Sequence, residues 1–292
     1  MNSFTIKDLE NLSGIKAHTI RIWEQRYNFL KPQRTTTNIR YYSNDELKTV
    51  LNIALLNKYG FKISHIDRME PAEIREKILS LGDFDAVQQR IVNELVREMI
   101  DLDMEKFEKI ISNYITTKGI ERTVMQIIFP FLEKIGILWQ TGNINPAQEH
   151  LVSNIIRQKL IMGIEMAISP TRLDKTFLLF LPEGEHHELG LLFMNYLLKT
   201  RGVPTIYLGA NIPIKDVEQV IRLKSPDIAY IHLTATCPGF NFDKFLANIQ
   251  QRFGAVRTVI SGQLTQHYKK KVPPSVQFKR SLPEVIEYLS TL

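Results

Sequence analysis

The chain has 292 residues, 44% of them hydrophobic, with a formal net charge of +6. This length suits two or three domains with sizeable cores. No apolar run approaches the roughly 18 residues of a bilayer-spanning helix, and the single cysteine, Cys237, excludes an internal disulfide or a multi-cysteine zinc site. Its start, Met1-Asn2-Ser3-Phe4, lacks the basic-then-apolar pattern of a secretory leader, so a cytoplasmic protein without membrane contact is expected.

The charge is uneven. Residues 1–62 hold ten Lys or Arg against five Asp or Glu, a net of +5 out of the total +6. A basic head on a near-neutral body points to nucleic acid as a partner of the head. In that head, Thr5 is placed to cap a helix over Ile6–Leu12, with Asp8 at the capping-box position, and Ser13-Gly14 ends it. A second helix is expected from about Lys16 to Tyr27. Two short helices and a tight turn make a helix-turn-helix. His18, Thr19, Arg21 and Arg26 on the second helix suit contacts to base edges and phosphates in a major groove. Two short extended pieces, around Gln33-Arg34 and Arg40-Tyr41, flank a polar turn and read as a wing. Its Arg34, Arg40 and Tyr41 are candidate phosphate contacts. Ser43, with Glu46 three residues on, caps a third helix with a buried stripe at Leu47, Val50, Leu51, Ala54 and Leu55.

Pro71 opens a charged helical linker. Long helical patterns then run over Phe84–Ile100, Met104–Thr117, Gly119–Gln140 and Ala147–Ile168, which is a four-helix bundle pattern. Trp139, a turn-rich segment from Gln140 to Pro146, and then Glu149-His150 bring an aromatic ring, a carboxylate and an imidazole to one end of the bundle. That set suits a nucleoside-like ligand. It also suits a core tryptophan beside a helix start where Glu149 favours the macrodipole.

From about residue 172 the pattern alternates strand and helix. Strands are expected at Thr176–Leu181, Thr205–Leu208, Ile228–Leu233, Thr258–Ser261 and Val276–Phe278, giving a five-stranded doubly wound α/β domain. Four loops share the carboxyl edge: the one holding His187, then Gly209-Ala210-Asn211, Thr234-Ala235-Thr236 and Gly262-Gln263. The dinucleotide glycine fingerprint is absent, which argues against a nicotinamide enzyme. In the first loop Glu185 stands two residues before His187, and Gly190 three after it. A carboxylate on one ring nitrogen raises the basicity of the other toward a metal, and Gly190 leaves room for close approach of a ligand. Two adjacent histidines, His186 and His187, also suit a solvated surface loop.

The run Thr19-Ile20-Arg21-Ile22-Trp23-Glu24-Gln25-Arg26-Tyr27, with Pro32 and Arg40-Tyr41-Tyr42, resembles the winged helix-turn-helix of MerR-family transcription regulators. Soft-metal sensors of that family place cysteines after the head, and none stands there. The remainder resembles the cobalamin-binding module of methionine synthase and its relatives. That module carries Asp-x-His-x-x-Gly, here Glu185-x-His187-x-x-Gly190. Trp139, nine intervening residues, and Glu149-His150 match the spacing of CarH-type photoreceptor repressors. The resemblance implies three domains: 1–75 winged helix-turn-helix, 76–170 helical bundle and 171–292 Rossmann-like cobalamin-binding domain. It implies a repressor, not an enzyme, that binds operator DNA as a dimer or tetramer with adenosylcobalamin as its light-absorbing group. His187 would ligate cobalt, Glu185 would orient it, Trp139, Glu149 and His150 would cover the upper ligand, and Gly190, Thr234 and Gly262 would line the tail of the corrinoid. Two other readings stay open: a regulator whose α/β domain has turned to another ligand or a partner protein, and a corrinoid methyl carrier.

The chain departs from that pattern at three places. His232 stands where the second motif has serine, Ser261 replaces the first glycine of Gly-Gly, and Gln140 replaces the histidine that follows the tryptophan.

Overall fold

The computed structural model describes residues 4–140, 144–234 and 239–292, apart from the side chain of Gln140. The chain forms two compact units, Met1–Ile155 and Ile156–Leu292.

The first unit opens with α1 (Ile6–Ser13), capped as the sequence predicts. Thr5 and Asp8 exchange both capping-box hydrogen bonds, and Gly14 ends the helix at φ 75°, a conformation glycine adopts without strain. Helix α2 (Ala17–Arg26) follows the turn. Strands β1 (Gln33–Arg34) and β2 (Arg40–Tyr41) pair antiparallel as the wing, with Arg34 opposite Arg40. Helix α3 (Asn44–Lys58) has the Ser43–Glu46 capping box. Short α4 (Ile63–Ile66) and α5 (Pro71–Ser80) complete the head. Trp23 is 5% exposed and packs with Ile53, Leu56, Ile66 and Ile78, so it anchors α2 from below. Phe29 meets the Trp23 ring edge-on at 5.9 Å and stacks on Tyr27 at 5.7 Å.

Helices α6 (Phe84–Asp101), α7 (Met104–Lys118) and α8 (Ile120–Thr123) with α9 (Phe129–Gln140) pack together in the first unit; α10 (Pro146–Met166) follows, and the boundary between the two units falls inside it. The expected single helix from Gly119 to Gln140 contains a π turn at Val124–Ile128. Its cause is Pro130, which has no N–H and whose ring crowds the carbonyl four residues back. That carbonyl, on Gln126, accepts instead from Gln88 Nε2 at 2.5 Å. Lys134 on α9 donates to Asn93 Oδ1 on α6 at 2.7 Å and to the Leu12 carbonyl at the end of α1 at 3.2 Å. Burial pushes its amine down to about 8.

The second unit is a parallel sheet in the order β4-β3-β5-β6-β7. Its elements are β3 (Phe177–Pro182), α11 (Leu189–Thr200), β4 (Thr205–Ile212), α12 (Ile214–Lys224), β5 (Ile228–His232), α13 (Phe242–Arg252), β6 (Arg257–Ser261), α14 (Gln263–His267), β7 (Val276–Lys279) and α15 (Leu282–Ser290). All six residues of β3 are buried, as a central strand requires. Leu178, Phe180, Ala229, Ile231 and Ile260 pack with Val217 of α12 and Phe245, Leu246 and Ile249 of α13 on one face. The chain leaves β3 toward β4 and returns on the other side as β5, so the topological switch point lies between β3 and β5. Ligands of open α/β sheets bind there, beyond the carboxyl ends.

One expectation is corrected. Gly209-Ala210-Asn211 is not a loop after β4 but its continuation. Positive φ at Gly209 (85°) and Asn211 (61°) makes two irregularities, and the strand stays paired with β3, Phe180 opposite Gly209 and Pro182 opposite Ile212.

Candidate functional site

The loop between β3 and α11 is built around one carboxylate. Glu185 is 5% exposed. Its Oε1 accepts the His187 backbone N–H at 2.8 Å and lies 2.6 Å from His187 Nδ1. The His187 side chain itself is 61% exposed. A carboxylate on Nδ1 holds the proton there, which makes Nε2 the ring atom suited to a metal bond. The loop is latched from β4: Gly184 N–H donates to Asn211 Oδ1 at 2.9 Å, and Asn211 N–H donates to the Glu185 carbonyl at 3.1 Å. Sequence reading missed Asn211 as a support. Its one signal was an asparagine two residues after a glycine, a pair suited to positive φ.

Beside it, Glu188 accepts from the Tyr207 hydroxyl at 2.8 Å and lies 3.8 Å from Arg157 Nε. Burial and the Glu188 carboxylate push the Tyr207 phenol well above its ordinary range. His186 is exposed, and it takes no part in these contacts.

Gly190, the second residue of α11, faces the end of β5. A Cβ there would lie 2.3 Å from both Cδ2 and Nε2 of the His232 ring. That ring is held on its other side. His232 Nδ1 is 2.8 Å from Ser261 Oγ, which is 2.5 Å from the Tyr230 hydroxyl. The register aligns His232 with Ser261, so the contact is set by the β5–β6 ladder. Burial pushes the His232 imidazole down to about 4, with Glu185 opposing. Gly262, at φ 99°, has a packing reason: a Cβ would strike the Leu233 carbonyl oxygen at 2.3 Å. Thr234 is half-buried beyond β5, while Ala235, Thr236 and Cys237 lie outside the described residues.

In the first unit, Trp139 is 49% exposed near the end of α9. Glu149 accepts from the Ser153 hydroxyl and lies 3.2 Å from His150 Nδ1, whose side chain is 73% exposed. The Gln140 side chain and residues 141–143, part of the expected turn, lie outside the described residues. On the head, His18, Arg21, Arg26 and Arg34 are exposed and Thr19 half-buried. Arg34 donates to Asn38 Oδ1 at 2.7 Å across the wing turn. Arg40 donates through Nε to Glu24 at 2.9 Å, Glu24 also accepts from Tyr42, and the Tyr41 hydroxyl donates to Gln33. Arg40 therefore ties the wing to α2 as well as carrying charge.

The donor chemistry at His187 fits a transition metal such as the cobalt of a corrinoid: an exposed imidazole oriented by a buried carboxylate at the sheet's switch point. The space above Gly190, by contrast, is filled by the His232 ring.

Residues 4–73 match the MerR HTH family regulatory proteins, and residues 91–162 match the B12 binding domain, a stretch that ends before β3. The chain is 25% identical to the HTH-type transcriptional repressor CarA of Myxococcus xanthus over 285 residues, covering 96% of this chain and 94% of that one. It is also 25% identical to the repressor CarH of the same organism over 255 residues, covering 85% of each. In fold it is similar to the monomethylamine corrinoid protein of Methanosarcina barkeri, with a TM-score of 0.50 and 10% identity over 70% of this chain and all of that one. Among the described residues no helix is long and apolar enough to cross a membrane. The chain is a MerR-type transcriptional regulator with a B12-binding domain, related to the CarA and CarH repressors.

Proposed function

We infer that this chain is a cytoplasmic repressor, not an enzyme, whose hold on operator DNA is set by a corrinoid bound through His187. The observation that carries this reading is the Glu185–His187 pair, fixed at 2.6 Å in a polypeptide that also bears a winged helix-turn-helix. Residues 1–75 grip DNA, with His18, Thr19, Arg21 and Arg26 toward the major groove and Arg34, Arg40 and Tyr41 on the wing. Residues 76–170 and 171–292 make the sensor. Trp139, Glu149 and His150 are assigned to the upper ligand, with Gly190, Thr234 and Gly262 on the α/β side. A bound adenosylcobalamin supplies a light-labile cobalt–carbon bond. A ligand shifts an assembly or DNA-binding equilibrium only by its different affinity for the two states, so the bound and unbound protein must differ in oligomeric mass or in DNA affinity.

The test is DNA binding and solution mass measured together, at stated salt, in darkness with and without adenosylcobalamin. Tighter DNA binding and a dimer or tetramer with the ligand are expected, reversed by green light. An unchanged mass on illumination removes the light response. A DNA affinity indifferent to the corrinoid removes the sensor reading.

A further inference from the structure

His232 is built into its place. Its ring lies against the start of α11, where only a glycine fits, since a Cβ at Gly190 would meet ring atoms at 2.3 and 2.9 Å. It is held from behind by Ser261, and Ser261 by Tyr230, at 2.8 and 2.5 Å. Ser261 and Tyr230 are 2% and 1% exposed, so this hydrogen-bonded chain runs into the interior of the sheet. Moving the ring out would leave those two hydroxyls to find other partners, in a place where unmade hydrogen bonds are costly.

The position matters because of what stands next to it. His187 lies three residues before Gly190, on the same loop-to-helix junction. A corrinoid taken by the His187 imidazole has that face of its cobalt occupied, so the aromatic base of its own nucleotide tail must leave the metal and lodge elsewhere. The slot beside Gly190, at the carboxyl ends of β5 and β6, is the neighbouring space, and an imidazole of the protein already fills it.

We propose that His232 takes the place of the corrinoid's lower base, so that this domain selects corrinoids lacking a nucleotide tail over complete cobalamin. The proposal rests on the corrinoid reading above and names the ligand class for that same site. Complete cobalamin has to displace His232 or leave its base in solvent; a tail-less corrinoid does neither.

The experiment is a pair of absorption titrations of the full chain, with hydroxocobalamin and with cobinamide, on wild type, His232→Ser and His232→Asn. Serine opens the slot; asparagine shortens the side chain while keeping a partner for Ser261, which guards against a variant that fails to fold. Wild type is expected to bind cobinamide at least about tenfold more tightly than cobalamin, the equivalent of 1.4 kcal/mol. Both variants are expected to move that ratio toward one. A wild type that prefers cobalamin, or a ratio unmoved in both variants, overturns the proposal and leaves the corrinoid reading standing. Binding of neither corrinoid overturns both.

Discussion

The head and the α/β unit reach their functional surfaces by opposite routes. On the head, His18, Arg21 and Arg26 stand exposed on α2, and a buried underside of Trp23, Ile53 and Leu56 keeps that helix in place. In the α/β unit the key side chain is also exposed, but it is aimed by one buried carboxylate, Glu185, and its loop is latched to Asn211 on the neighbouring strand. A polyanion is recognised by charge spread over a surface, which tolerates mobile side chains. A single metal–nitrogen bond needs one atom in one direction, and so it needs a rigid support.

The largest test of this contrast is His187→Ala. Corrinoid affinity is expected to fall by more than about a hundredfold, beyond the 10–100-fold typical of outer partners, while corrinoid-free DNA binding is unchanged. Absorption titration and fluorescence anisotropy read the two halves separately, and a loss of both would join what the contrast separates.

A second test uses acid. His232 has a folded value near 4, below the ordinary 6.5, because burial disfavours its charged form. The unfolded chain therefore takes up this proton first as pH falls. The stability involved is fully present above about pH 6.5 and is lost on the way to pH 4, up to roughly 3 kcal/mol at 1.4 kcal/mol per unit. Denaturation at pH 7.5 and 4.5 should show a smaller acid loss in His232→Asn than in wild type. Equal losses would mean that the ring is not enclosed.

Smaller effects are expected on the head. Arg21→Ala and Arg26→Ala should each lower the salt slope of DNA binding by about one, with corrinoid titrations unaffected. A slope unchanged in both would place the DNA elsewhere. Smallest is Thr5→Ala, which removes a capping box and should cost about 1 kcal/mol in thermal or denaturant unfolding. No loss of stability would show that α1 is held by its packing alone.

The same division explains what the sequence made legible. Both capping boxes, the glycine that ends α1 and the wing are short-range features, and the structure has them where the residues place them. The strands begin within a residue of expectation, because buried runs such as Phe177–Pro182 have no other use in a sheet. The end of β4 was not legible: Gly209 and Asn211 look like a turn until β3 is beside them to keep the strand paired. The π turn before Pro130 was likewise invisible without Gln88 to take the displaced carbonyl. At the site, Glu185 and His187 are two residues apart and could be paired by eye. His232, Gly190 and Ser261 meet only through strand order. Sequence alone marked His232 and Ser261 as departures, without showing that the two are bonded to each other.

The irregular end of β4 has one more consequence. β4 is an edge of the five-stranded sheet, and a straight exposed edge invites another chain to add a strand. The two positive-φ residues that bring Asn211 to the loop also twist the last third of that edge out of regular pairing geometry. The kink that steadies His187 thus works as a guard against sheet-to-sheet aggregation, and straightening β4 at Gly209 and Asn211 would cost solubility along with the latch.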